Sequence, residues 1–471
     1  MKIFWFFSCC VLLFSGCRVG PRYTAPSSPV PSAWKTVQQE PTLGLNVEHW
    51  WEVFHDECLN NLETKVIACN YTFYVALEKV EEARASAGVN KADLYPQIAL
   101  NGGYKYIQDQ VKSNLSKKAK TLGFLESIQI QDQHLEFPNI FSYELDLWQK
   151  YRGQYKAAIF NTQAQEQHAK GILLTLTTEL ASAYFNLRAL DSQVQLTQEI
   201  LSLLKETLQF HRSRYTTGLD TYLDVATAEK SLSLVEAAYQ ELLLQRLLFE
   251  NAIAVLIGAP ASEFHLPSNP LLVTNIPSIP AGIPSSVLTR RPDIAEAERV
   301  MAAKHALINV AYASFFPDFS ITGGGGLASI QLKHFLNLKN YFFEFGANLI
   351  QSIIDAGRNR SNLNAAKARF QQAEGSYQQL VLKAFQEVED SLSAIEYQEH
   401  QSEDIFSAFN SSQKLSSLSE RRYNVGIVNE LEVLNNKKSL LETEQLWIQI
   451  TSLRYQSTLS LIKALGGSWS N

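Results

Sequence analysis

Cys58 and Cys69, His49 and His55 beside Glu48 and Asp56, and the acids Glu81, Glu82, Glu387 and Glu389 are of types that could hold a metal or move a proton. Their spacing serves neither purpose. A helical zinc site of the HExxH kind needs two histidines one turn apart, and a thiolate site needs a CxxC pair. Neither pattern occurs, and no Ser, His and acid spacing resembles a triad motif. Cys58 and Cys69 fall in one helical pattern, about 16 Å apart along its axis. A disulfide needs alpha carbons within about 7 Å, so the two cannot join each other. The acid pairs lie on long polar-faced helical patterns, where solvated carboxylates are ordinary. The sequence is therefore not expected to be an enzyme or to hold a cofactor or metal. A net charge of −6 over 471 residues gives no footprint for nucleic acid.

One further thiol is placed differently. Cys17 follows Leu13-Phe14-Ser15-Gly16 directly, after Lys2 and an apolar run from Ile3 to Phe14. About 7 to 15 apolar residues make the core of a secretory signal, whereas a bilayer-spanning helix needs roughly 20. The arrangement resembles the bacterial lipobox, whose cysteine is acylated and becomes the new N-terminus. Residues 1–16 are expected to be a lipoprotein signal peptide and 17–49 an extended, lipid-anchored segment. Two or more acyl chains hold a protein at a bilayer where one is marginal. Arg18 is not the aspartate associated with inner-membrane retention, so the expected address is the outer membrane. No later apolar run reaches bilayer length, and any further crossing must use strands.

The elements that would position such a protein are written twice. RYTTGLDTYLDVATAEKSL, Arg214 to Leu232, recurs as RYNVGIVNELEVLNNKKSL, Arg422 to Leu440, 208 residues later. YPQIALNGGY, from Tyr95, recurs as FPDFSITGGG, from Phe316, 221 residues later. The expected organisation is a first repeat at 50–259, a proline-rich connector at 260–290, a second repeat at 291–465 and a tail at 466–471. Each half reads helix, proline, strand, loop, strand, long helix, glycine-marked turn, long helix. Pro96 and Pro317 sit where helix gives way to strand, since proline turns its predecessor toward extended backbone. The first helical segment of the first half runs from about Asp56 to Leu94.

Ile98, Leu100, Tyr104 and Tyr106 alternate with polar or small residues, as do Tyr143, Leu145 and Leu147. In the second half Phe319, Ile321 and Leu327, then Tyr341, Phe343, Phe345 and Ala347, do the same. Segments of about ten residues with one apolar face are the pattern of membrane β-strands. Four strands cannot close a barrel without open edges in lipid, so three copies would supply twelve. Lys112, Lys117, Lys118 and Lys120 fall in the loop between the first two strands, expected at the cell surface. Lys150 to about Arg212 contains no proline and would span about 90 Å as one helix. The two glycine-marked turns lie farthest along the chain from the strands, so Arg214, Tyr215, Gly218, Arg422, Tyr423 and Gly426 are expected at the periplasmic tip. Arg290, Arg291 and Asp293, around Pro292, are expected to anchor the helix that begins the second repeat.

Taken together the chain resembles the outer-membrane factor family, the NodT-type channel-tunnel lipoproteins of tripartite efflux pumps. WWEVFHDECLNNL (Trp50 to Leu62), YELDLW (Tyr143 to Trp148) and LIGAP (Leu256 to Pro260) carry part of the likeness. The most specific block is LTRRPDIAEAERVMAAKHALINVAYASFFPDFSITGG, Leu288 to Gly324. The resemblance implies a membrane β-barrel plus a long α-helical barrel, with four strands per subunit and two pseudo-repeats in a homotrimer. It implies a passive exit duct, met at the tip by a periplasmic adaptor and driven by an inner-membrane pump of the resistance-nodulation-division type. Asp220 and Glu430, just beyond the tip glycines, become candidate aperture carboxylates. Drugs or other small toxic compounds are the expected cargo. Heavy-metal export and a non-conducting lipid-anchored scaffold are the alternatives, and the lack of a methionine ladder beyond Met301 weighs against metal.

Overall fold

The computed structural model describes residues 19–24, 26, 30–35, 49–100, 102–112, 127–271, 276–280, 282, 284–329, 337, 339 and 341–467. The leader, Cys17, and Lys117, Lys118 and Lys120 lie outside the described residues, as do 468–471 of the tail. A short 3-10 helix, Trp50–Phe54, is followed by α1 (Glu57–Cys69), α2 (Tyr71–Ala92), β1 (Gln97–Leu100), β2 (Gly103–Lys112) and β3 (Ser127–Leu145). Then come α3 (Lys150–Thr216), α4 (Tyr222–Leu256), α5 (Pro284–Arg290), α6 (Pro292–Ala313), β4 (Asp318–Ser329), β5 (Tyr341–Ile350), α7 (Arg358–Asn424) and α8 (Glu430–Ala464).

The two sequence offsets reappear as structure. Helices α3 and α7 are 67 residues each, and α4 and α8 are 35 each. Their starts, Lys150 with Arg358 and Tyr222 with Glu430, are both 208 residues apart. Helices α2 and α6, 22 residues each, begin at Tyr71 and Pro292, 221 apart, the offset of Pro96 and Pro317. Each proline directly precedes its strand. The chain is thus two pseudo-repeats. The helix expected over Asp56 to Leu94 is instead two, broken at Asn70, whose ψ of 120° is extended.

The residues divide into two compact units, with α2, α3, α6 and α7 contributing to both. One holds the antiparallel sheet. Strands β1 and β2 pair with β3 in one continuous register, Leu100 opposite Asn139 and Gly103 opposite Glu136, so they form one interrupted strand. The order is β1/β2, β3, β4, β5, and the sheet therefore has the four strands the sequence implies. β3 is longer than its alternation suggests, 19 residues, and it ends at Leu145 before Leu147.

Cross-strand partners place apolar residues on one face. Ile98 opposes Phe141, which opposes Gly323, which opposes Phe345; Leu145 opposes Phe319, which opposes Leu349. Directly opposed residues project to the same side, so Tyr143, Ile321, Tyr341 and Phe343 share it. The other side carries Gln97, Ser142, Glu144, Ser320, Thr322, Glu344 and Asn348. Ile98, Phe343, Phe345 and Leu349 are between 59% and 78% exposed, so this chain does not cover its own apolar face.

YELDLW builds the passage from β3 into α3. Asp146 accepts from the backbone N–H of Tyr151 at 3.0 Å and of Arg152 at 2.9 Å, capping orphan donors of the helix start. Trp148 stacks on Phe316, and its indole donates to the Pro317 carbonyl at 2.8 Å. Lys150 joins Glu144 at 3.1 Å to Asp318 at 3.2 Å.

The other unit is helical. Trp34, Trp50, Trp51, Tyr184, Phe185 and Tyr455 lie in its buried core, with Phe185 stacked 4.4 Å from Tyr455. Cys58 and Cys69 sit at opposite ends of α1, both free thiols. Glu63, also on α1, is fully buried and neither carboxylate oxygen has a hydrogen-bond partner. Burial pushes its carboxyl well above the usual range.

Candidate docking tip and repeat junctions

Both glycine-marked turns join the end of a 67-residue helix to the start of a 35-residue one. In the first, the N–H of Gly218 donates to Tyr215 O at 3.0 Å and that of Leu219 to Arg214 O at 2.8 Å. In the second, Gly426 donates to Tyr423 O and Ile427 to Arg422 O, each at 2.8 Å. These bonds satisfy terminal helix carbonyls and require a left-handed residue, φ +76° at Gly218 and +74° at Gly426. The following helices are capped by opposite halves of a capping box. Asp224 accepts from the backbone and hydroxyl of Thr221 at 2.9 and 2.7 Å, and Asn429 accepts from Glu432 N at 3.0 Å.

Side chains separate the two turns. Asp220 accepts from Arg214 Nε at 2.8 Å on one oxygen and meets His211 Nδ1 at 2.8 Å on the other. Bonding from Arg214, joined by His211, holds its carboxyl below the usual range against the opposing effect of desolvation. The Arg214 guanidinium also lies 5.5 Å from the centre of the Phe210 ring. In the second turn, Arg422 reaches Glu432 at 3.6 Å, between half-exposed side chains. Glu430 is in the first turn of α8 and makes no ion pair among the described residues. Leu219, Tyr222, Leu223, Val425 and Ile427 are all exposed, so each turn carries an apolar rim.

A second pair of sites lies at the repeat junctions. Asn70, between α1 and α2, donates to the Leu256 carbonyl at 2.7 Å and accepts from Phe73 N at 3.0 Å. Its counterpart 221 residues on is Arg291, between α5 and α6, which donates to the Ala464 carbonyl at 3.0 Å. One side chain in each half thus caps the end of the half's 35-residue helix. Arg291 is buried and also bonds Asp293 and Glu387, each at 2.7 Å. Burial opposes its charge, but the two carboxylates more than offset that and raise its pKa. Gly258 and Gly466 pass close to these junctions, with a side-chain carbon at Gly466 falling 2.8 Å from Arg290 O.

Residues 260–271 are tied down by ions. Arg246 bonds Asp191 at 2.7 Å, Glu250 at 3.1 Å and the Leu266 carbonyl at 2.7 Å. Asp191 takes Asn269 N, Glu250 takes Leu266 N, and Arg188 reaches Pro267 O. Backbone groups that the prolines cannot pair with each other find partners on α3 and α4 instead.

The structure brings Arg291 together with Asp293, and Asp220 together with Arg214 in the same turn. It leaves Glu430 apart from both. Sequence reasoning missed His211, Asn70 and the Arg246 network, and read Glu387, which here bonds Arg291, as a solvated carboxylate. Only Asn70 had a signal, its alignment with Arg291 at the 221-residue offset. Among the described residues no group of three or more His, Cys, Asp or Glu side chains could hold a metal, and no helix is long and apolar enough to cross a membrane.

Known proteins share this sequence and arrangement. The family model for "Outer membrane efflux protein" matches residues 66–259 and 283–467. The antibiotic efflux pump outer membrane protein ArpC of Pseudomonas putida is 28% identical, over 97% of this chain and 94% of its own. The cation efflux system protein CusC of Escherichia coli is 28% identical, with 98% of each chain covered. Among solved structures, the outer-membrane channel OprN aligns with a TM-score of 0.84 at 25% identity, covering 96% of this chain and 99% of its own. The open-state outer membrane channel MtrE of Neisseria gonorrhoeae aligns at 0.82 and 25%, over 96% and 98%.

Proposed function

The chain belongs to the outer membrane efflux protein family, and we propose that three copies close one twelve-stranded barrel and engage a periplasmic adaptor through the tip turns. The protein is an efflux duct of the outer membrane, with its helical body in the periplasm. One observation carries the trimer. The sheet has a register-matched apolar face that the chain leaves exposed, and β1/β2 and β5 are open edges. In lipid each unpaired N–H and C=O is costly, so the edges must pair with neighbouring copies. Native mass spectrometry and single-channel recording test this together. A conducting trimer is the expected result; a monomer, or a trimer that never conducts even with its adaptor, would overturn the reading.

Docking at the tip is supported by the two exposed apolar rims around Arg214, Tyr215, Gly218, Arg422, Tyr423 and Gly426. Asp220 and Glu430 serve as aperture carboxylates, with different freedom to move because Asp220 is already bonded twice. Cysteines placed beside the turns should crosslink to the adaptor, and normal export without any crosslink would remove the docking role. The energy comes from an inner-membrane pump of the resistance-nodulation-division type. Small toxic organic compounds are the cargo, in line with the antibiotic-efflux relative. The cation-efflux relative keeps metal as a second reading, against which Met301, fully buried, offers no soft-ligand path. Cys17 carries the lipid, and mass spectrometry of the mature N-terminus is its test: an unmodified residue there would end the assignment.

A further inference from the structure

A cavity of about 730 Å³ opens in the helical unit where the start of α2 meets the end of α4, beside α3 and the start of α6. Its floor is apolar, from Ile172, Leu176 and Leu256, and the ring of Tyr71 stands exposed at its edge. Its carboxylates are Glu179, Asp293 and Glu296, while His168 is the one basic side chain in the lining. Two of the acids are engaged, Asp293 with Arg291 at 2.7 Å and Glu296 with His168 at 3.0 Å. Glu179 is exposed and has no ion partner among the described residues.

We propose that this cavity binds a lipophilic organic cation. The volume suits a drug-sized molecule. The floor buries rings, Tyr71 offers a face to positive charge, and Glu179, without an ion partner among the described residues, supplies the counter-charge. An anion of the same shape gains the floor but meets the unpaired Glu179 at the edge, with His168 already bonded to Glu296. The site does not depend on docking or on conduction, because it is complete within one helical unit.

Gly171 gives a way to fill it. A side-chain carbon there would have the Pro292 side chain as its nearest neighbour, at an ordinary 3.8 Å, so Gly171→Leu is compatible with the helix and occupies the cavity. Tetraphenylphosphonium is the probe and tetraphenylborate its anionic counterpart, each titrated calorimetrically into the intact purified protein. Gly171→Leu serves as the blank for partition into detergent. Expected are saturable binding of the cation at one site per chain, none of the anion, about fivefold or greater weakening in Glu179→Gln, and loss in Gly171→Leu at unchanged oligomer size. No saturable binding by the unsubstituted protein, equal binding of both ions, or unchanged affinity in Glu179→Gln would each overturn the proposal. Should Gly171→Leu fail to assemble, Glu179→Gln decides alone.

Discussion

At Gly218 and at Gly426 the chain reverses through the same backbone, with matching φ values and matching bonds back to a tyrosine and an arginine carbonyl. Around the first turn an arginine and a histidine close on Asp220, with the Phe210 ring beside the arginine; around the second, Arg422 spans 3.6 Å to Glu432 between half-exposed side chains. The repeat junctions differ in the same way, a neutral Asn70 in one half and an ion-paired Arg291 in the other. Duplication kept the backbone requirement, because a left-handed turn and an orphan carbonyl have few solutions. The side-chain supports were left to diverge, because several chemistries satisfy them. Of the two turns, the second is therefore expected to be the more easily displaced.

The junction comparison should break most visibly. Arg291→Ala leaves Asp293, Glu387 and the Ala464 carbonyl without their shared partner, a loss of about 3–5 kcal/mol. Asn70→Ala loses a neutral bond to Leu256 and a cap, about 1–2 kcal/mol. Thermal unfolding of the two variants should rank them in that order, and equal losses would contradict the difference drawn here.

The glycines sharpen it next. Gly466→Ala combines a left-handed backbone at φ +85° with collision against Arg290 O, and should cost about 3 kcal/mol or more. Gly258→Ala meets the Cys69 carbonyl in the same manner. Gly218→Ala and Gly426→Ala meet no atom within 4 Å and carry only the backbone strain, about 1–2 kcal/mol. Assembled-protein yield and melting temperature should therefore fall further at the junctions than at the two turns.

Glu63 is a smaller contrast, since the residue 221 positions on is Pro284. Replacing Glu63 by Leu should raise stability at neutral pH by about 1–2 kcal/mol, because a buried unpaired carboxyl is removed. The pH dependence has a definite sign. A raised folded-state pKa means the burial penalty is smallest below the ordinary glutamate value of about 4.3 and grows as pH rises toward and through the folded value. Denaturant titration across that range should show the difference between Glu63→Leu and the parent growing with pH.

The subtlest test addresses the two turns directly. Asp220→Asn should speed amide exchange over residues 214–222 about fivefold, while Glu432→Gln should change residues 422–430 by less than twofold. Asp220 has a lowered pKa, so its support is intact above the ordinary aspartate value of about 3.9 and fails as pH falls through the folded value. Acidification should therefore loosen the first turn toward the behaviour of the second.

The sequence alone determined the repeat, the two proline switches, a proline-free helix from Lys150 to about Arg212, and the glycine-marked turns at Gly218 and Gly426. These follow from local chemistry, since proline, glycine and alternation act on the residues beside them. Tertiary structure decided the rest. Apart from the alignment of Asn70 with Arg291, nothing in Cys69-Asn70-Tyr71 announces a helix break, and at the break Asn70 bonds the end of α4. The extent of β3 was illegible because its N-terminal half is held by pairing with β2 and not by its own alternation. Asp220 read as a candidate aperture carboxylate with no sign of its bond to His211, which lies back on α3 and meets it only once the chain has reversed. Which charges are spent and which remain available depends on residues distant in sequence, and only packing brings those together.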